Sequence, residues 1–468
     1  MLPLGYCRRM RLEQSHRTER FGAVRIHELQ RVIQLDSGDA TGTTGEGIVS
    51  QAAMRAIERQ MVIVIPCMNE TRRVIEGVLS GIPHDCLIVL VSNSARAPVD
   101  RYEMEAQTLE QYCRATERPA IMVHQRDPGL AAAFKAAGMP ELIDDDGLVR
   151  AGKGEAMLIG MAVAALTGRK YLGYIDADNY VPGAVHEYVK VYAAGLHLAA
   201  NPYAMVRISW HSKPKLRDGR LFFSRRGRSS EITNEFLNRL VAEYSGFGTE
   251  VIATGNAGEH ALSLDLGLRM RLAGGFAVEP FEFVELFEQF GGLLDTAHPE
   301  VMASSVPVLQ IETRNPHFHD NKGEDHVQGM RMQALNVLYH SPVSLPPVRE
   351  AILDFMVAQR ALAPGEEPPR NGSTRRSARS RWTCCATCWR PRPGPFASSA
   401  PGRWSPSPAR ARAARARGGH LGLNRRCGPP SGSAAPRRRD QWFRGGGHRP
   451  CRHDRASRAA TTGRSAPA

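Results

Sequence analysis

The chain has 468 residues, of which 61 are Lys or Arg and 47 are Asp or Glu, for a formal charge of +14. That length allows two or three domains at ~100–200 residues each, and such a charge points at first to nucleic acid or an anionic membrane as a partner. Its location removes that argument for the body of the chain: residues 370–468 hold 23 Arg, no Lys and only Asp440 and Asp454 as acids, which leaves residues 1–369 mildly acidic at −7. Cys7, Cys67, Cys86 and Cys113 are scattered without a pairing pattern, and the other five cysteines lie in the basic tail. Unpaired, irregular cysteine fits a reducing compartment. No apolar run reaches the ~18 residues of a membrane span, and the N-terminus has no apolar signal core. A soluble cytoplasmic protein is the expectation.

In chain order, Met1 to Arg9 reads as unattached to the rest of the chain, and Met10 is an equally good start of translation. Residues 1–59 read as an N-terminal extension and lead-in, with a Gly/Thr/Asp-rich linker at Gly38–Gly47. From about Gln60 the chain alternates. Strands are expected at Met61–Pro66, Cys86–Ser92, Ala120–His124 and Tyr171–Ile175. Helices are expected at Glu70–Leu79, Arg101–Thr116 and Gly154–Leu166, and Pro182 opens another in the favoured first-turn position. This alternation implies βαβ units and a mainly parallel sheet flanked by helices, over a region taken as 60–200. Residues 201–364 add strands at Tyr203–Trp210 and Val306–Glu312 and helices at Glu231–Tyr244 and Val348–Leu362. From 365 to 468 Pro, Arg, Gly, Ser and Ala dominate, too polar to offset chain entropy, so disorder is expected. Arginine without lysine, clustered cysteine and four of the five Trp give the tail two readings: out-of-frame translation of GC-rich DNA, or a basic nucleic-acid-binding segment.

The most informative motif is Asp176-Ala177-Asp178, where the apolar run Tyr171–Ile175 ends in two carboxylates. An open α/β sheet binds ligands at that end of its strands. Two carboxylates beside one small residue suit a hard divalent cation, and through it a diphosphate. A lone Asp-x-Asp is a weak signal, so the other motifs matter. Pro66-Cys67-Met68-Asn69-Glu70 closes the first strand; it offers either polar groups to a nucleotide or a plain helix cap with a first-turn acid. Ser92-Asn93-Ser94 can contact ribose or form an Asx-type turn. Gly152-Lys153-Gly154 opens a helix whose N–H groups and ammonium suit a phosphate, or leaves a solvated Lys on a loop. Arg225-Arg-Gly227-Arg228-Ser-Ser230 reads as an anion cradle or a solvated charge run. Asn256-Ala-Gly-Glu259-His260 places an acid where it can meet sugar hydroxyls, or on an exposed loop. Among His317, His319 and His326, one imidazole joining a carboxylate–phosphate shell fits Mn²⁺ or Mg²⁺.

Together with Arg17-Thr-Glu-Arg-Phe-Gly22, Glu76–His84, Lys213-Pro-Lys-Leu216 and Gln310–His317, these motifs resemble the mannosyl-3-phosphoglycerate synthase family, in order from about Met10 to Arg349. The resemblance implies a retaining glycosyltransferase of the GT-A α/β fold that moves mannose from GDP-mannose to D-3-phosphoglycerate. It implies Pro66, Met68, Asn69, Glu70, Ser92, Lys153, Asp176 and Ala177 at the nucleotide-sugar and Asp176 with Glu259 as catalytic. It also implies Gly227, Arg228 and Ser230 at the acceptor, with Asp178 and His319 on a divalent cation (Mg²⁺, Mn²⁺ or Co²⁺). Other residues often stand at Cys67 and Met68 in the family, so a backbone contact is expected at Met68. A homodimer is the family-level expectation, with no nucleic acid or membrane partner. The rival readings are a glucosyl-3-phosphoglycerate synthase and a non-catalytic anion- or nucleic-acid-binding protein that uses the tail.

Overall fold

The computed structural model describes residues 9–35, 47–217, 220–224, 228–317 and 324–370. Its strands are β1 (Arg9–Leu12), β2 (Thr18–Phe21), β3 (Val24–His27), β4 (Gln30–Gln34), β5 (Ile48–Ser50), β6 (Met61–Cys67), β7 (Leu87–Ser92), β8 (Ala120–His124), β9 (Tyr171–Tyr174), β10 (Met205–Ser209), β11 (Lys213–Arg217), β12 (Arg220–Ser224), β13 (His260–Ser263) and β14 (Val306–Glu312). One sheet runs β5-β1-β4-β14-β10-β13-β9-β6-β7-β8, with β3 also on β14 and carrying β2; β11 and β12 form a separate hairpin. β9, β6, β7 and β8 are mutually parallel, and so are β10 and β14.

The expected α/β architecture is present, and its main departure from a parallel sheet is β13. This strand runs antiparallel to both β9 and β10. Reversal brings the residues just before β13 to the sheet edge where β9 and β10 end. Met10 is fully buried in β1, paired with Val49. Between Arg9 and Gln34 four short strands join the sheet, where the sequence suggested only a lead-in. Each carries only one or two buried residues, as in Val24-Arg-Ile-His27, where Val24 and Ile26 face inward.

Both faces of the sheet are covered, which is why β6 and β7 are apolar throughout. In β6, Val62 and Val64 face one core while Met61, Ile63 and Ile65 face the other. The first core holds the helices Lys153–Leu166 and Val278–Phe290, and the second holds Arg72–Gly81 and Pro182–Ala199. The helix after β6 begins at Arg72, because the Thr71 hydroxyl accepts the Val74 N–H as its cap. Glu70 is therefore in the turn and not a first-turn acid. No helix among the described residues is long and apolar enough to cross a membrane.

Two glycines fix close approaches. Gly22 turns β2 into β3 at φ +59°, and a Cβ there would stand 2.3 Å from the Gly291 carbonyl carbon. Gly160 lets its helix lie against β6: a Cβ would meet Val64 Cγ1 at 2.3 Å. Gly160→Ala improves helix propensity by ~1 kcal/mol, but it overpacks a site closed on every side, which costs about 1–3 kcal/mol. Chemical denaturation should show net destabilisation that shrinks in a Val64→Ala background.

Candidate active site

The site is built on strand ends. After β9 the chain turns at Asp176-Ala177-Asp178-Asn179, with the Asn179 N–H on the Asp176 carbonyl at 3.1 Å. Ala177 is buried and fills the turn, while both aspartates are half-buried. The Asn179 amide nitrogen donates to Glu259 Oε1 at 2.5 Å. Glu259 immediately precedes β13, and the register His260↔Tyr174 sets it beside this turn. It is fully buried, which rules out the exposed loop acid, and its Oε2 has no hydrogen-bond partner. Burial, reinforced by the Asp176 carboxylate, pushes its pKa up to about 8 against the opposing pull of Lys153 and Asn179.

Lys153 is the first residue of its helix, with Gly152 as the extended N-cap. A solvated lysine is not what the structure has. Lys153 Nζ lies 2.8 Å from both Asp176 oxygens and 2.7 Å from Glu279 Oε1. Burial opposes the ammonium charge, but Asp176 and Glu279 outweigh it and raise the pKa. Gly258 completes the approach, since a Cβ there would meet Asp176 Oδ2 at 2.8 Å and Lys153 Nζ at 2.9 Å.

Glu279 carries no motif, and sequence reading missed it. It stands in the first turn of the helix Val278–Phe290, where Glu279, Glu282, Glu285 and Glu288 are all buried. Glu282 binds Arg207 and, at 2.9 Å, His260 Nε2. Burial raises the Glu282 pKa, but His260 and Arg207 more than offset it and hold the carboxyl below its usual range. Arg207 also donates to the carbonyls of Thr254, Gly255 and Glu279. One guanidinium thus ties the loop leading to Glu259 to the turn bearing Glu279. Period-three acids in an apolar run were the one available signal.

The ends of β6, β7 and β8 continue the shelf away from β9. Pro66 is half-buried, Met68 is 62% exposed, and Asn69 adopts a left-handed φ of 60°. Asn69 locks two strand ends together: its N–H donates to Ser94 Oγ at 2.6 Å, and its Oδ1 accepts from the Ala95 N–H at 3.0 Å. Ser92 is fully buried and donates its hydroxyl to Glu105 at 2.6 Å, so that hydroxyl is a strut of the shelf wall. Glu70 lies at the turn before the helix. Beyond these, a cleft of about 390 Å³ is lined by Asn93, Ser94, Arg96, His124, Arg126 and Asp127. With strands ~4.8 Å apart, the order β9-β6-β7-β8 sets this cleft two to three strand spacings from Asp176.

Arg228 opens the helix Arg228–Ser245, and Ser230 is buried in its first turn. Asn234, one turn on, accepts the Gly255 N–H through Oδ1 at 2.7 Å, which docks this helix end on the loop to Glu259. Gly227, His319 and everything after Arg370 lie outside the described residues. His317 is buried and stacks on Trp210 with ring centroids 4.5 Å apart, so it is a packing residue. Among the described residues no three His, Cys, Asp or Glu form a ready-made metal cage. The donor set nevertheless fits an oxygen-seeking divalent cation: the half-buried carboxylates of Asp176 and Asp178 stand together at the end of β9, both close enough to Glu259 to raise its pKa.

Because the Glu259 pKa is raised on folding, its protonated form favours the fold. That contribution is complete below the ordinary Glu range and is lost as pH rises through about 8. In metal-free protein, Glu259→Gln should match wild type near pH 5 and exceed its Tm at pH 9 by on the order of several degrees, as thermal melts across pH will measure.

Comparison with known proteins bears on this geometry. A family model described as mannosyl-3-phosphoglycerate synthase matches residues 14–378. The chain is 43% identical over 364 residues to the mannosyl-3-phosphoglycerate synthase of Pyrococcus furiosus, covering 77% of this chain and 92% of that one. It is 36% identical over 366 residues to the enzyme of the same name from Aeropyrum pernix, covering 78% and 94%. Among solved structures, glucosyl-3-phosphoglycerate synthase from Mycobacterium tuberculosis, with Mn²⁺, UDP-glucose and phosphoglyceric acid, is 20% identical with a TM-score of 0.41, covering 66% of this chain and 86% of that one. The chain belongs to the mannosyl-3-phosphoglycerate synthase family.

Proposed function

We propose that the protein transfers mannose from GDP-mannose to D-3-phosphoglycerate with retention of configuration, on a GT-A fold, giving mannosyl-3-phosphoglycerate. The observation that carries this reading is the gathering of Asp176, Asp178, Lys153 and Glu259 at one sheet edge, with an open cleft at the ends of β7 and β8. A nucleoside diphosphate-sugar laid along that edge has its base toward the cleft and its diphosphate toward Asp178. Ribose then passes over Met68–Glu70. Asp178, with His319, would hold the divalent cation, whose chemistry is to neutralise negative charge on the diphosphate.

The chain's own residues account for the rest. Lys153 faces the departing diphosphate oxygens with a charge that Asp176 keeps in place. Asp176 is bound by both oxygens to Lys153, a poor arrangement for an attacking nucleophile. Retention then follows from attack on the same face the diphosphate leaves, with a donor phosphate oxygen taking the acceptor hydroxyl's proton. The transition state is oxocarbenium-like. Glu259, steadied by Asn179, contacts the hexose hydroxyls. Gly227, Arg228 and Ser230 bind the acceptor's anionic groups and bring its hydroxyl to the anomeric carbon.

Purified protein supplied with 3-phosphoglycerate, a divalent cation and GDP-mannose, GDP-glucose or UDP-glucose in parallel should use GDP-mannose best. Preference for UDP-glucose or GDP-glucose would replace the mannosyl reading with the glucosyl one. Asp178→Ala should lower the initial rate by at least about 10²-fold while far-UV circular dichroism stays unchanged. A chain ending at residue 370 should keep full transfer activity, and loss of activity would give the basic tail a catalytic role.

A further inference from the structure

The Lys153–Glu279 contact is not explained by stability. Burying a lysine and a glutamate together is on balance neutral or unfavourable against a well-packed apolar pair. Here Glu279 is 2% exposed, and its second oxygen has no hydrogen-bond partner. A buried acceptor left in that state is a net cost to the fold. The surroundings show that the carboxylate is placed with care. It lies in the first turn of its helix, where the helix dipole favours negative charge. Its own carbonyl accepts from Arg207, the same guanidinium that holds the carbonyls of Thr254 and Gly255 on the way to Glu259. Glycine at 258 keeps open the space in which Lys153 meets Asp176.

We propose that Glu279 is a positioning residue for the transfer reaction: it holds the Lys153 ammonium at a fixed point against Asp176, so that Lys153 meets the leaving diphosphate and Asp176 stays a hydrogen-bonded carboxylate, leaving the cation to Asp178. This rests on the functional reading above in taking the diphosphate to lie at Lys153. Without Glu279 the lysine has one anchor instead of two. Its four-carbon stem then lets the ammonium swing about Asp176, and displacements near 1 Å at such a site cost about 10²-fold in rate.

The test is a double-mutant cycle on the full chain with Glu279→Gln, Lys153→Met and the pair, read by steady-state kinetics and by calorimetric binding of GDP with Mn²⁺. Glu279→Gln should lower kcat at least about tenfold, leave KM for 3-phosphoglycerate within about twofold, and weaken GDP binding several-fold. In the Lys153→Met background the same substitution should change neither kcat nor GDP affinity further. Equal fractional losses in both backgrounds, or a Glu279→Gln enzyme with wild-type kcat and GDP affinity, would overturn the proposal. A purely structural role would appear as a lower Tm and a smaller active fraction with unaltered affinity. Should Glu279→Gln not fold, Glu279→Asp, which keeps the charge one methylene short, is taken through the same cycle. Wild-type protein that binds GDP but transfers no hexose would sink the functional reading alone, and the affinities would still decide the role of Glu279. Wild type that binds no GDP would sink both.

Discussion

A carboxylate taken out of water must be paired, hydrogen-bonded or protonated, and one helix beside the site meets that demand four times with cations. Glu279 takes Lys153, Glu282 takes Arg207 and His260, and Glu285 and Glu288 share Arg271. The cations come from different parts of the chain: the Lys153 and Arg207 pairings span 126 and 75 residues, and those of Arg271 span 14 and 17. Lys153 fixes the start of its own helix against Asp176. Arg207 secures β10 and the loop to Glu259, and Arg271 with Ser341 ties in the C-terminal helices. Breaking one partner would leave a stranded charge in the core, a heavier loss than removing the whole pair.

The second constraint is the reversal of β13. A wholly parallel sheet would carry the residues before this strand to the far edge, roughly a strand length from the aspartates. Because β13 runs the other way, Glu259 arrives where β9 departs, and Asn179 bridges them. The acid needs only the short turn at Ala257-Gly258 to reach its place, and that turn must be narrow. The resulting cluster is strongly acidic, with Lys153 set among Asp176, Glu259 and Glu279.

Much of this is legible in the sequence for physical reasons. A strand buried on both faces must read as an apolar run, so Tyr171–Ile175 announces both the strand and the exposed carboxylates beyond it. Gly152-Lys153-Gly154 reads correctly as a helix start, because the glycines there admit close approach. Partnership is what cannot be read. Nothing near Lys153 indicates that its charge is answered 126 residues later by Glu279, or that Arg207 is matched 75 residues on. Ser92 suggests a pocket residue by type and position, yet its hydroxyl is occupied by Glu105, thirteen residues on in the next helix. The strands between Arg9 and Gln34 escape notice because one or two buried residues per strand make too brief a pattern. The motif ending at Gly22 shapes a turn packed on Gly291, far in sequence from the chemistry.

The spacing of the four glutamates has a geometric consequence. A step of three residues advances an α-helix by 300°, so successive carboxylates at 279, 282, 285 and 288 precess by about 60° each and together sweep half the circumference. The helix is therefore not amphipathic in the usual sense. It is keyed like a shaft with teeth set at different angles, the last two sharing Arg271. Rotation by one residue in either direction would set an uncharged residue at all four positions and strand the cations. Slippage by a single residue is thereby penalised at all four positions together.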